Sequence, residues 1–349
     1  MPPSIKDIAG LATKPVRMAA GLANRPVGTG GRHGPLYPLS VVDRVLRPGS
    51  LEDALAGRIV LVTGASSGIG EVVVERIGEA HGEVILVART LEKLEATAEQ
   101  VRELGGTAHV APCDLTDPDA IDAMAEQVLR DHGRVDILIN NAGRSIRRSI
   151  ELSYDRPHDF ERTMQLNYFA AVRLILKFLP GMRRRGWGHI VNISSIGVQV
   201  RVPRFAAYIA SKAALDTFSD AVHAEVLDDG VRFTTIHMPL VRTPMISPTK
   251  IYDRFPTLTP DEAGELVVKA LITRPRRVAS PVGYLSELAT AVSPEATDLL
   301  RNRGYHVFPD SKAARGDGAK KGAGAEEERA DEISRGGQAF ARATRGVHW

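Results

Sequence analysis

Six short apolar, β-branched runs alternate with helical patterns, and a glycine-rich turn follows the first run. These observations, with no internal repeat and no second turn of that kind, predict an α/β fold: one domain on a doubly wound parallel sheet. The runs cover residues 58–62, 84–88, 108–111, 135–140, 189–193 and 232–237. Helical patterns lie at 71–80, 91–104, 118–132, 157–180 and 207–227. The expected domain spans residues 51–308, between extensions over 1–50 and 309–349.

The leader, residues 1–50, is rich in Gly and Pro and holds seven Lys/Arg against two Asp/Glu. The stretch LSVVDRVL at 39–46 has the pattern of a short amphipathic helix. A basic, partly amphipathic leader suits peripheral contact with an anionic membrane surface. Packing against the domain or a neighbouring subunit is the reading we favour.

The first run, RIVLV, feeds TGASSGIG (Thr63 to Gly70) and then a helix-like stretch. A strand, a glycine-rich turn and a helix N-terminus together cradle a pyrophosphate, because glycines let the backbone approach and N–H groups face the anion. Gly64, Gly68 and Gly70 follow G-x-x-x-G-x-G spacing, and Ser66 offers a hydroxyl donor. The second run ends at Arg89, where an acidic residue would repel a 2′-phosphate and a guanidinium instead binds it, so NADPH is favoured over NADH. Asp114 and Leu115 follow the third run, where an aspartate accepts from an adenine amino group. NNAG, Asn140 to Gly143, ends the fourth, where asparagine side chains tie a turn together beside a cofactor.

In YIASK, Tyr208 and Lys212 stand one helical turn apart on one face, with Ser195 thirteen residues upstream. A nearby ammonium favours phenolate, moving the tyrosine down from its ordinary pKa of about 10 toward proton exchange near neutrality. A serine hydroxyl reaching the same point holds a substrate oxygen while that proton moves. From 310 to about 334 the chain turns to Gly, Ala, Lys and Glu, the composition of a mobile tail.

Composition excludes several classes. With 43% hydrophobic and 25% charged residues the chain reads as an ordinary globular protein, and a net charge of +3 does not argue for nucleic acid. The single Cys113 excludes an internal disulfide framework and fits a reducing compartment, so a cytoplasmic location is expected. No apolar run reaches the roughly 18 residues of a membrane span, the N-terminus lacks the features of a secretory signal, and no metal is expected.

TGASSGIG, NNAG, a mid-helix asparagine, Ser195 and YIASK in this order resemble the short-chain dehydrogenase/reductase superfamily over about 200 residues, whose fold is Rossmann-like. The resemblance implies an Asn167, Ser195, Tyr208 and Lys212 tetrad, with Ser195 preferred to Ser194 by its spacing from the tyrosine. It implies cofactor contacts at Gly64, Ser66, Ser67, Gly68, Ile69, Gly70, Arg89, Asp114, Leu115, Asn141, Ala142, Gly143, Tyr208, Lys212 and Thr243. It also implies a homodimer or homotetramer, joined by the helices at 157–180 and 207–227. One departure stands out: the usual Pro-Gly after the sixth strand is Pro239-Leu240 here.

NNAGRSIRRS, DRPHDFERTMQLNYF and MPLVRTPMISPTKIYDRFPTLTPDEA look more narrowly like the bacterial short-chain-type fatty acyl-CoA reductases, over residues 55–272. That resemblance implies NADPH-dependent reduction of an acyl thioester to a fatty aldehyde. The alternative keeps the tetrad and acts on a ketone, a secondary alcohol or a 3-oxoacyl thioester. Arg147 and Arg148, after NNAG, and Arg204, before Tyr208, are candidate ligands for CoA phosphates; solvated charge or intersubunit pairing explains them equally well. The segment 245–255 is a candidate wall of the acyl groove.

Overall fold

A computed structural model of the chain describes residues 49–246, 257–308, 310 and 312–315, all within one unit, Leu46–Trp349. Residues 1–48 of the basic leader, and with them the expected membrane contact, lie outside the described residues, as do most of the expected acyl wall and the chain beyond 315.

Chain order is α1 (Leu51–Leu55), β1 (Ile59–Thr63), α2 (Gly68–Glu79), β2 (Glu83–Ala88), α3 (Leu91–Glu103), β3 (Thr107–Pro112), α4 (Pro118–His132) and β4 (Ile137–Asn140). Then follow α5 (Pro157–Met164), a π segment (Gln165–Phe169), α6 (Ala170–Arg185), β5 (Gly188–Ser195), α7 (Ile196–Val200), α8 (Ala206–Val226) and β6 (Val231–Met238). The last elements are α9 (Pro260–Thr273), β7 (Arg277–Val278), α10 (Pro281–Val292), α11 (Pro294–Val307) and the short α12 (Lys312–Arg315). The strands form one parallel sheet ordered β3-β2-β1-β4-β5-β6-β7. The order reverses between β1 and β4, and a crevice opens at their carboxyl ends.

Both faces of the sheet are buried, as the near-continuous apolar runs require. Alternate residues of β1 point to opposite sides: Val60 and Val62 join Val73, Val74 and Ile77 of α2, whereas Leu61 joins Ile121 and Ala125 of α4 with Leu174 and Phe178 of α6. Local chemistry sets the helix ends. Asp117 caps α4 by accepting from Asp119 N–H and Ala120 N–H, Pro118 opens it, and Gly133 closes it at φ 74.

The predicted helix over 157–180 is three pieces and runs on to Arg185, where Gly186 ends it at φ 68. Pro180 does not stop it: its ring lies on the exposed side, where a missing N–H is cheapest to tolerate. Sequence reasoning also passed over α9, although Thr259 and Glu262 form a complete capping box with Pro260 at the first turn. It passed over α10 and α11 as well, which leave Leu285, Leu288, Val292, Leu299 and Leu300 exposed. Asp310, at the start of the expected tail, pairs with Arg204 and accepts from Ser149 N–H.

Candidate active site

The glycine-rich turn is locked to the end of β4. Thr63 Oγ1 accepts from the N–H groups of Asn141 and Ala142, both at 3.0 Å, while Asn141 Nδ2 donates to the carbonyls of Thr63 (3.0 Å) and Gly64 (3.2 Å). Gly64 sits at φ +66, and a Cβ there would meet Ala142 Cα at 3.0 Å; a Cβ on Gly70 would collide with the Gly64 carbonyl. Ser67 is the N-cap of α2 yet its side chain caps nothing, so the first N–H groups of α2 still lack a side-chain acceptor. Ser66 is half-buried beside it, Ile69 packs into the core, and Thr243 Cγ2 lies 3.2 Å from where a Gly68 Cβ would stand. This cradle fits a dinucleotide pyrophosphate: the backbone approaches closely, and a helix N-terminus faces the gap.

Arg89 is exposed after β2 and near enough to Asp114 and Arg144 to act on the charge of each. The Asp114 carboxyl is held below its ordinary value, chiefly by the Thr116 N–H and hydroxyl, which donate to Oδ1 at 2.9 and 2.8 Å. Its Oδ2 makes no described hydrogen bond and is available to an adenine amino group. Leu115 is buried beside it. Burial pushes the Cys113 thiol up to about 11, so it is no thiolate at neutral pH.

The other predicted residues converge at the carboxyl ends of β4 and β5. Asn167 is buried on the π segment; its Oδ1 accepts from Arg144 N–H (2.8 Å), and its Nδ2 donates to the Arg144 carbonyl (2.9 Å) and Ser211 Oγ (2.9 Å). A π turn widens the helix and frequently marks functional positions. A Cβ on Gly143 would lie 3.2 Å from Asn167 Oδ1 and 3.4 Å from Lys212 Nζ, so glycine keeps the floor between them open. Lys212 Nζ donates to the Ile193 carbonyl at 2.7 Å. Ser195 Oγ accepts from Gly197 N–H at 3.0 Å and is hydrogen-bonded with the Tyr208 phenol. Ser194 points elsewhere: it is buried and donates to Asp216 at 2.9 Å.

The electrostatics differ from the sequence expectation. The Tyr208 phenol stands above its ordinary value, because burial outweighs the hydrogen bond with Ser195 and the Asp216 charge adds to the rise. Lys212 does not draw it down; burial lowers the lysine itself to about 8, opposed by Asp216. Asp216 and His237, which sequence reasoning missed, complete a buried cluster in which His237 Nε2 and Ser194 Oγ both meet Asp216 Oδ2 at 2.9 Å. Asp216 stands one turn beyond Lys212 on the Tyr208 face, a spacing visible in the sequence; its partner on β6 is visible only in the fold.

The candidate CoA-binding arginines have other work. Arg147 donates to the Phe308 carbonyl at 3.3 Å. Arg148 pairs with buried Asp159 at 3.3 Å, alongside Arg156 and Arg162. Arg204 pairs with Asp310 at 3.2 Å, donates to the Tyr305 carbonyl at 2.8 Å and stacks 3.9 Å over the Tyr305 ring. The three tie Tyr305, Phe308, Asp310 and α5 to the loops that border the site.

A sheet with this strand order, and a glycine-rich turn at its switch point, is an open α/β architecture that suits a nucleotide-dependent oxidoreductase, with Ser195, Tyr208 and Lys212 as candidate reacting side chains. The chain belongs to the short chain dehydrogenase family, whose model matches residues 58–251. It is similar to an uncharacterised oxidoreductase of Mycobacterium bovis, 55% identical over 349 residues, 99% of this chain and 100% of the relative. It is also similar to a fatty acyl-CoA reductase of Acinetobacter baylyi, 50% identical over 293 residues, 84% of this chain and 95% of that one. Among solved structures, the L-sorbose reductase of Gluconobacter frateurii complexed with NADPH and L-sorbose matches with a TM-score of 0.57 and 28% identity, covering 62% of this chain and 90% of that one.

Proposed function

We propose that the chain is an NADPH-dependent reductase that converts long-chain fatty acyl-CoA to a fatty aldehyde and free CoA. The observation that carries this reading is the 50% identity to the Acinetobacter baylyi fatty acyl-CoA reductase, extending over 84% of the chain. In this reading the turn from Gly64 to Gly70, with Thr243, holds the pyrophosphate, and Arg89 binds the 2′-phosphate. Asp114 and Leu115 border adenine, and Asn141, Ala142, Gly143 and Lys212 border the nicotinamide ribose. Bound NADPH supplies a hydride to the thioester carbonyl carbon. Ser195 holds the carbonyl oxygen, and Tyr208 donates its proton to the alkoxide as it forms, giving a hemithioacetal. Collapse of that species expels the thiolate, which takes up a proton as the aldehyde leaves. Lys212 carries the positive charge beside the tyrosine, and Asn167 ties the π segment to the loop after β4. Cys113, a buried thiol, plays no part.

A ketone substrate is the second reading, favoured by the likeness to L-sorbose reductase. NADPH oxidation by the purified protein with palmitoyl-CoA separates the two. Stoichiometric thiol release and hexadecanal, both abolished in Tyr208→Phe, are expected. Turnover of a 3-oxoacyl thioester or ketone with no thiol release from palmitoyl-CoA would move the function to the second reading.

A further inference from the structure

Glu83, His109 and His132 meet at the amino end of the sheet, opposite the glycine-rich turn. Glu83 opens β2, His109 lies on the edge strand β3, and His132 is the last residue of α4. His109 Nε2 is 3.2 Å from Glu83 Oε1, and His132 Nδ1 is 4.0 Å from the same oxygen. The two imidazole centroids are 4.4 Å apart. A hydrogen bond accounts for the first contact but not the second, which is beyond hydrogen-bonding reach.

One donor atom from each residue lies within 4.8 Å of the other two. Three atoms so placed share a point no more than about 2.8 Å from any of them, against Zn–N and Zn–O bonds of about 2.0–2.2 Å, so side-chain shifts under about 1 Å close the site. Two imidazoles and one carboxylate are a donor set that zinc accepts, with a fourth position left to water. The location suits a cation too: His132 ends a helix, where the partial negative charge of the last carbonyls gathers.

We propose that Glu83, His109 and His132 bind a divalent transition-metal ion, zinc first, that fastens the edge strand β3 to β2 and to the end of α4. The site is separate from the catalytic crevice and independent of the substrate reading above. Its three ligands are separated in sequence, at residues 83, 109 and 132, which is why no ligand motif marks it.

The test is metal binding by the full chain after chelator treatment, followed by calorimetry with Zn2+ and by visible absorbance with Co2+. One saturable site per chain, and a metal-dependent rise in unfolding temperature, are expected. His109→Ala and His132→Ala should weaken binding by more than the roughly 10–100-fold that loss of an outer-sphere partner costs. Glu83→Gln, nearly isosteric, should weaken it while leaving the metal-free unfolding temperature in place. Absence of saturable binding at micromolar Zn2+, or binding of equal strength in wild type and both histidine variants, would overturn the proposal. Neither readout needs turnover.

Discussion

Lys212 lies buried with its Nζ donating to the Ile193 carbonyl at 2.7 Å, two residues before Ser195. That bond, together with Ser194 Oγ to Asp216 and Asn192 Nδ2 to Ser219 Oγ, joins the helix that carries Tyr208 to the strand that carries Ser195. Holding the ammonium in this place is costly, since burial lowers its pKa from 10.5 to about 8. Below about pH 8 the folded and unfolded states are both protonated and the full cost applies; between about 8 and 10.5 the unfolded chain binds the extra proton, so stability rises with pH. Lys212→Met should therefore stabilise the fold at pH 7 by about 1–2 kcal/mol, after allowing for the bond lost at Ile193. Activity should vanish in the same variant. Urea denaturation at pH 7 and pH 10 checks both parts: the advantage should shrink at the higher pH.

Asp216 acts on both candidate reacting groups, raising Tyr208 and Lys212 alike. The other polar groups facing it are Ser194 on β5 and His237 on β6. Asp216→Asn should lower both pKa values and move the alkaline fall of the reduction rate to lower pH, because Tyr208 must be protonated to donate. A pH–rate profile that superimposes on wild type would refute this role.

Arg89 is the single cationic side chain at the end of β2, and it is exposed and unhindered. Arg89→Asp should cut kcat/KM for NADPH while sparing NADH, reversing the preference by about 100-fold or more, the loss of a charge-assisted pair plus repulsion. Paired kinetics with the two cofactors measure it.

Asp159 is buried and neutralised by Arg148, Arg156 and Arg162, which hold its carboxyl below the ordinary range against the cost of burial. Asp159→Asn leaves those arginines without a counter-charge and should destabilise the fold by about 2–4 kcal/mol, read from the urea midpoint. Arg148→Glu should do the same. Any rise in KM for acyl-CoA in Arg148→Glu should accompany this instability, as expected of a clamp and not of a phosphate ligand.

Phe169 and Leu176 expose apolar surface beside Arg173 and Lys177, along a groove on the π segment and α6. We expect a second copy of the chain to cover this face. Leu176→Glu should shift the protein to a smaller species in light scattering while leaving the monomer folded.

The strand–turn–helix alternation, the glycine cradle, the asparagine turn and the Ser-Tyr-Lys spacing were legible because each is written in contiguous residues with a fixed period. A parallel sheet buries both faces, so its strands announce themselves as apolar runs; a helix face sets Tyr208 and Lys212 one turn apart without help from the rest of the chain. What no local pattern contains is which distant groups share one dielectric environment. Burial, a property of the packed whole, sends Tyr208 up and Lys212 down, against the pairwise expectation of a phenol and a nearby ammonium. Pairing across elements likewise joined Asp216 to His237, and turned Arg148 and Arg204 inward to Asp159 and Asp310. The sequence by itself determined the fold and the candidate reacting side chains; the tertiary structure decided their burial and their partners, because packing brings together groups that no local pattern joins.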